Sequence, residues 1–443
     1  MKTPICDFVR EYAAAHPMRL HMPGHKGTSF LGAEPLDITE IDGADNLYNA
    51  GGVILQSEQN AGSLFGCHTF YSTEGSSHCI RAMVYLVTLY AKLHHQKPRI
   101  AAVRNAHKSF LDAAALSDVT VDWLYPQKQL SYASCVLSAA ELEEALQSQA
   151  EQPTAVYVTA PDYLGNLTDI RALSEVCHRR GILLLVDNAH GAYLKFLSPS
   201  AHPMDLGADL CCDSAHKTLP VLTGGAYLHI ARGAAPFFAQ QAKTALALFG
   251  STSPSYLILQ SLDMANRYLA DGYPQRLTEC AERVQALRSR LQTYGYTVRG
   301  EEPLKLTVDT KAYGYIGTEF ADILAESGIV CEFADRDFAV FMVTPEITDF
   351  DRWESAMRAI PKRPPLKESL PPYHQCDRVL SVREAVFAPR ETIAVTDSVG
   401  RVLASAAVSC PPAVPIVVSG ERIDAAAVQR FLYYGITHCD VIV

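Results

Sequence analysis

Three short apolar runs recur along the chain, Ile100-Ala-Ala-Val103, Ala155-Val-Tyr-Val158 and Leu183-Leu-Leu-Val186, each followed by polar or Gly/Pro residues. Runs of that length, apolar on both faces, are the pattern of strands buried in a parallel sheet. Between them lie helix-compatible stretches such as Ala139-Ala-Glu-Leu-Glu-Glu-Ala-Leu146. The alternation predicts an α/β fold, a mostly parallel sheet covered by helices. Upstream, Ser76 and Ser77 open a sustained apolar stretch to Leu86, which predicts a buried helix. The first 60 residues, rich in Gly, Pro, His and Asp, show little periodicity and read as an irregular arm. After Ser251-Thr-Ser-Pro-Ser-Tyr256 a long helical pattern runs from about Leu257 to Tyr294, the expected entry into a second domain. The division expected is an arm over 1–55, a large domain over 56–256 and a smaller C-terminal part over 257–443. Pro361-Lys-Arg-Pro-Pro365 and Pro371-Pro372 read as a linker or an ordered turn region.

Composition narrows the classes. The 443 residues are 48% hydrophobic and 19% charged, as expected of a packed globular protein without a disordered bulk. A formal net charge of −10 argues against a nucleic-acid partner and suits a cationic substrate. The 12 cysteines include no C-x-x-C pair, which disfavours a zinc ribbon or a dithiol redox site, and reduced thiols are expected. No metal ligand set stands out. Neither a signal peptide nor an apolar run approaching the ~20 residues of a membrane span is visible, so a soluble, cytoplasmic protein is expected, with no membrane partner.

In open α/β sheets ligands sit beyond the carboxyl ends of the strands. The polar tails here are Arg104-Asn-Ala-His-Lys108, Thr159-Ala-Pro-Asp-Tyr163 and Asp187-Asn-Ala-His-Gly191. Downstream of the last comes Asp213-Ser-Ala-His-Lys-Thr-Leu-Pro220. Asp187 and Lys217 in that order suit pyridoxal phosphate, which needs an amine to condense with its aldehyde and a carboxylate to keep the ring nitrogen protonated. Taken singly, Lys217 is as well explained as a solvated surface charge and Asp187 as a helix cap. Thr73-Glu-Gly75-Ser76-Ser77 before a helix can cradle a phosphate, or can be a plain helix start. Ser214 and His216 could add phosphate contacts. His107 could lie flat on the pyridine ring or be a hydrogen-bonded histidine at a strand end, and His190 is ambiguous in the same way.

These residues carry a resemblance to the Orn/Lys/Arg decarboxylase family, within the fold type I pyridoxal-phosphate enzymes related to aspartate aminotransferase. The stretches concerned are Arg19-Leu-His-Met-Pro-Gly-His-Lys-Gly27, Thr39-Glu-Ile-Asp-Gly-Ala-Asp-Asn-Leu47 and the tails at 104–108, 187–191 and 213–220, with weaker matches at Ser251–Tyr256, Arg383–Phe387, Cys410–Ile416 and Gly420–Ile423. The resemblance implies a large domain with a mostly parallel seven-stranded sheet over 56–256 and a smaller α+β C-terminal domain. It implies that Lys217 holds pyridoxal phosphate covalently, Asp187 pairs with the pyridinium, His107 stacks on the ring and Ala189 touches its other face. Gly75, Ser76, Ser77, Ser214 and His216 would hold the phosphate, with His190 beside the cofactor. Glu421 would meet the distal cationic group of the substrate. A homodimer or larger homo-oligomer with shared sites is implied, the His21–Gly27 arm and the Asp42/Asp45 region reaching the partner's cofactor. The implied reaction is decarboxylation of lysine, ornithine or arginine to a polyamine precursor, by a compact enzyme of the Gram-positive type.

Two departures bear on that reading. Glu74 stands where the family usually has asparagine, and the C-terminal motif has Ala413 and Ser419 where glycine and proline are more usual. An aminotransferase or other α-carbon lyase, and a catalytically weak regulatory paralogue, therefore stay open as alternatives.

Overall fold

The computed structural model describes residues 1–127, 131–368, 371, 375–405, 409–410 and 413–443. The chain divides into two compact units: Met1–Lys97, Thr154–Tyr157 and Ile170–Gln275 make the first, and Pro98–Pro153, Val158–Asp169 and Arg276–Val443 the second. The main sheet has seven strands: β1 (His68–Ser72), β2 (Arg99–Val103), β3 (Thr120–Leu124), β4 (Ala155–Thr159), β5 (Leu183–Asp187), β6 (Leu210–Asp213) and β7 (Ala226–Ile230), in the order β1-β7-β6-β5-β4-β2-β3. β2 with β3 and β5 with β6 are parallel, whereas β7 runs antiparallel to β1 and β6. The predicted fold class is the one observed. All three apolar runs are strands.

In the first unit β7 is buried along its whole length and β5 everywhere but at Leu183, which is why both lack polar alternation. Helix α1 (Pro4–Ala14) stands where an irregular arm is expected. Proline at its start is preorganised for a helix, and the amides of Ile5 and Cys6 donate to the Asp263 carboxylate at 3.0 Å each while Ile5, Cys6 and Val9 are buried. Helix α2 (Val53–Phe65) ends at Gly66 in the left-handed region, and α3 (Gly75–Leu93) is the buried helix predicted from Ser76 onward. The long helical pattern after Tyr256 is two helices, Tyr256–Ala270 and Tyr273–Thr293, because Gly272 between them adopts φ +67°.

The second unit contains helix α4 (Lys108–Ser117) and a four-stranded antiparallel sheet of β8 (Thr297–Arg299), β9 (Lys305–Asp309), β10 (Phe333–Ala334) and β11 (Phe338–Met342), in the order β10-β11-β9-β8. Val340, Leu403, Val417, Ile423, Phe431 and Val441 share one buried cluster in it. Pro361–Pro365 is neither helix, strand nor turn but is tied down: Tyr315 donates its hydroxyl to the Pro361 carbonyl at 2.7 Å and Arg363 lies over the Tyr315 ring at 4.0 Å. Pro372, and Pro411 with Pro412 in the C-terminal motif, lie outside the described residues. Among the described residues no helix is long and apolar enough to cross a membrane.

Candidate active site

Asp187, Ala189, His190 and Lys217 meet at the ends of β5 and β6 in the first unit. Asp187 closes β5, is 2% exposed, and pairs in register with Cys212 of β6. The Tyr157 hydroxyl donates to its Oδ2 at 3.0 Å and the Ala189 amide to its Oδ1 at 3.2 Å. No cationic side chain pairs with it among the described residues. Burial, and next to it the Asp187 charge, push the Tyr157 hydroxyl well above its ordinary range, so it stays a donor. Lys217 lies in the short helix Ala215–Thr218, half-buried, with Nζ 3.1 Å from His190 Nε2. His190 and Ala189 are both buried.

The phosphate candidates also converge. Ser214 donates its hydroxyl to Ser76 Oγ at 2.7 Å, joining the β6 tail to the first turn of α3. Gly75 begins α3 at φ +74°, and its amide donates to the Gly224 carbonyl at 2.7 Å, which leaves cradling to the residues after it. Ser77 sits in the same turn, half-buried. His216 donates from Nδ1 to the Gly225 carbonyl at 2.9 Å. Glu74 is engaged elsewhere: its Oε1 accepts the Ser251 amide at 2.6 Å, so this departure from the family pattern has a structural partner of its own.

The acidic arm residues do not join this group. Asp42 is exposed and makes no hydrogen bond among the described residues. Asp45, at φ +71°, accepts the amides of Asn46, Gly51, Gly52, Ile54 and Leu55 and so caps the start of α2. Burial would raise its carboxyl, but those amides hold it below the usual range.

In the second unit His107 caps α4, its Nδ1 accepting the Ser109 amide at 3.1 Å. Three residues before it, Arg104 donates to the carbonyls of Pro415 and Ile416 at 2.8 and 3.0 Å and lies 3.6 Å from Glu421. Glu421 is 3% exposed and also accepts the Val418 amide at 2.7 Å. Burial raises its pKa although Arg104 pulls the other way. It edges a cleft of about 320 Å³ with Asp122, Gln375 and Arg378. The tail at Thr159–Tyr163 is scaffold: Asp162 accepts the amides of Leu164 and Asn166 at 3.0 and 2.9 Å. A wider cleft of about 530 Å³ among Val330, Phe341, Ile347 and Trp353 holds none of the predicted residues.

Reasoning from sequence missed Tyr157, hidden inside a run that read as apolar, and Arg104, whose motif drew attention only to His107. A tyrosine within a fully buried strand needs a polar partner, and that was the available signal.

Comparison with known proteins completes the picture. The family model described as Orn/Lys/Arg decarboxylase, major domain, matches residues 3–303, and that of the C-terminal domain matches 374–437. The chain is 28% identical to an arginine decarboxylase of Halalkalibacterium halodurans and 29% identical to one of Bacillus subtilis, each alignment covering 95% of this chain and 91% of the other. It superposes on the lysine decarboxylase of Francisella novicida with a TM-score of 0.80 at 16% identity, over 100% of this chain and 81% of that one, which is a likeness of fold.

Proposed function

We propose that this chain, which belongs to the Orn/Lys/Arg decarboxylase family, acts on arginine, releasing CO₂ and the corresponding amine. The protein is a pyridoxal-phosphate-dependent amino-acid decarboxylase. Arginine is preferred over lysine and ornithine because the relatives aligned along most of the chain are named arginine decarboxylases.

The observation that carries the site assignment is Asp187. A carboxylate this deeply buried is costly unless a cation meets it, and among the described residues it has only hydroxyl, amide and thiol donors. A protonated pyridine nitrogen is such a cation, so the residues present suit the cofactor. When bound, pyridoxal phosphate supplies the electron sink that lets the α-carboxylate depart as CO₂. Asp187 keeps the negative charge opposite the ring nitrogen, and Tyr157 orients that carboxylate. Lys217 carries the cofactor and, with His190 3.1 Å from its Nζ, is placed to return a proton to Cα. Ser76, Ser77, Ser214 and His216 hold the phosphate. His107 is assigned to the ring face, and Glu421 to the substrate's cationic end, on their family motifs alone.

Met18, Leu20, Met22, Phe30 and Leu31 are between 65% and 94% exposed, a run of apolar side chains that suits burial against a second copy of the chain. We therefore read the enzyme as a homodimer or larger homo-oligomer. No described cysteine is in a disulfide, which fits a reducing compartment, and we place the protein in the cytoplasm. The product amine would be a polyamine precursor.

The test is CO₂ release by the holoenzyme from arginine, lysine, ornithine and an uncharged analogue. Turnover of arginine above the others is expected. Preference for lysine or ornithine would overturn the substrate, and no release from any of the three would overturn the activity.

A further inference from the structure

The tail of β6 carries a second buried carboxylate that the proposed chemistry does not use. Asp213 is 0% exposed, as are His202 and His229. Its Oδ2 lies 3.0 Å from His202 Nε2 and 3.1 Å from His229 Nε2, while its Oδ1 accepts the Asn188 side-chain amide at 2.7 Å. Asn188 directly follows Asp187, and its backbone amide donates to the Cys212 carbonyl at 3.0 Å. Its side chain can lie there only because residue 191 is glycine: a Cβ at that position would stand 2.0 Å from Asn188 Oδ1.

His202, Cys211 and Asp213 offer ligand atoms within 4.8 Å of one another, which raises the question of a metal ion. The histidine geometry opposes it. The Met204 amide donates to His202 Nδ1 at 3.3 Å, so the ring proton sits on Nε2, the nitrogen a metal would need. The cluster works as a hydrogen-bonded brace instead. Burial would push the pKa of His229 down, but the Cys67 sulfur and Asp213 raise it. Burial pushes the pKa of His202 down, against the pull of Asp213.

We propose that Asp213 is a positioning residue that acts through Asn188, locking the turn after β5, which follows Asp187 and carries His190, to the segment after β6, which carries Ser214 and Lys217. A carboxylate held on both oxygens cannot rotate, so Asn188 is fixed, and with it the direction in which Asp187 leaves its strand. The inference rests on the reading that Asp187 and Lys217 serve the cofactor.

The experiment uses the full chain with Asp213→Asn and Asn188→Ala. Cofactor affinity is measured by fluorescence titration of the apoprotein, the pH midpoint of the visible cofactor band by absorbance, and integrity by thermal unfolding of the apoprotein. Both variants are expected to weaken cofactor binding about tenfold or more, the scale of one charge-assisted hydrogen bond, and to move the pH midpoint. Asn188→Ala should do so while remaining folded, its melting temperature lowered less than that of Asp213→Asn. An Asn188→Ala protein with wild-type affinity and midpoint would overturn the proposal, even if Asp213→Asn proves too unstable to measure. Borohydride reduction of the wild type separates the two levels. Absence of a pyridoxyl adduct on Lys217 overturns the underlying reading, whereas an adduct with unaltered variants overturns only the role of Asp213.

Discussion

Asp187 and Glu421 are both buried carboxylates in the family motifs, yet the protein treats them differently. Glu421 has an arginine of its own, Arg104, and a backbone amide, while Asp187 has a tyrosine hydroxyl, a backbone amide and a thiol but no cation among the described residues. A buried charge that the chain pairs itself needs no further partner to be stable, whereas one left with dipoles alone gains from a cation that arrives later. The contrast gives Asp187 a structural reason to meet a cation that Glu421 lacks, where motif matching gives both residues equal standing.

The largest expected effect tests the group that Asp187 is thought to serve. Lys217→Ala should abolish the borohydride-reducible pyridoxyl adduct while leaving the fold intact, as read by mass spectrometry and circular dichroism. An adduct on another lysine would move the site. Asp187→Asn comes next: the side chain keeps its shape but loses the charge, and turnover should fall by about 10²–10³, the cost of one lost electrostatic stabiliser in an active site. Cofactor affinity should fall much less. Near-normal turnover would erase the distinction between the two carboxylates.

The opposite signature is expected at Glu421. Arg104→Met strands that carboxylate in the interior and should cost about 3–5 kcal/mol of stability in denaturant unfolding, the usual penalty for halving a buried ion pair. Glu421→Gln, which removes the charge on the other side, should lose about 1.5–3 kcal/mol. If Glu421 is a brace, that variant loses activity equally on arginine and on an uncharged analogue of equal length. A loss confined to the cationic substrate would instead give Glu421 the charge-reading role its motif suggests.

The sheet and the Lys217 region were legible because their signals are local. A short apolar run bounded by polar residues and turn signals reads as a buried strand from its own residues, and Asp213-Ser-Ala-His-Lys217 is contiguous. The same locality explains what was hidden. The partners of Asp213 come from two other segments, His202 and His229, and no spacing rule connects them. Arg104 and Glu421 are far apart in the chain, so an isolated motif could not show that one neutralises the other. The α1 helix was missed because its apolar stripe is only Ile5, Cys6 and Val9, too short for periodicity to rise above the Gly and Pro content that follows. The break near Gly272 was overlooked because the helical pattern resumes almost at once.

A third buried carboxylate sharpens the comparison, with the smallest expected effect. Asp335 is 8% exposed, and among the described residues its Oδ1 accepts only the amides of Asp337 and Phe338, each at 2.8 Å. Burial is the largest influence on it and Asp337 adds repulsion, so its pKa is pushed up to about 6 despite those amides and Lys311. A carboxyl whose pKa is higher in the folded than in the unfolded state binds more protons when folded. Its contribution to stability is therefore complete below the unfolded value, near 4, and is lost as pH rises through about 6. Asp335→Asn cannot ionise but can still accept both amides. Unfolding free energy measured between pH 4 and 7 should consequently fall less with pH in the variant, by up to about 3 kcal/mol, the free-energy equivalent of a shift of about two units. Parallel curves for the two proteins would mean that Asp335 ionises without cost, and that backbone amides alone suffice to hold a buried carboxylate charged here.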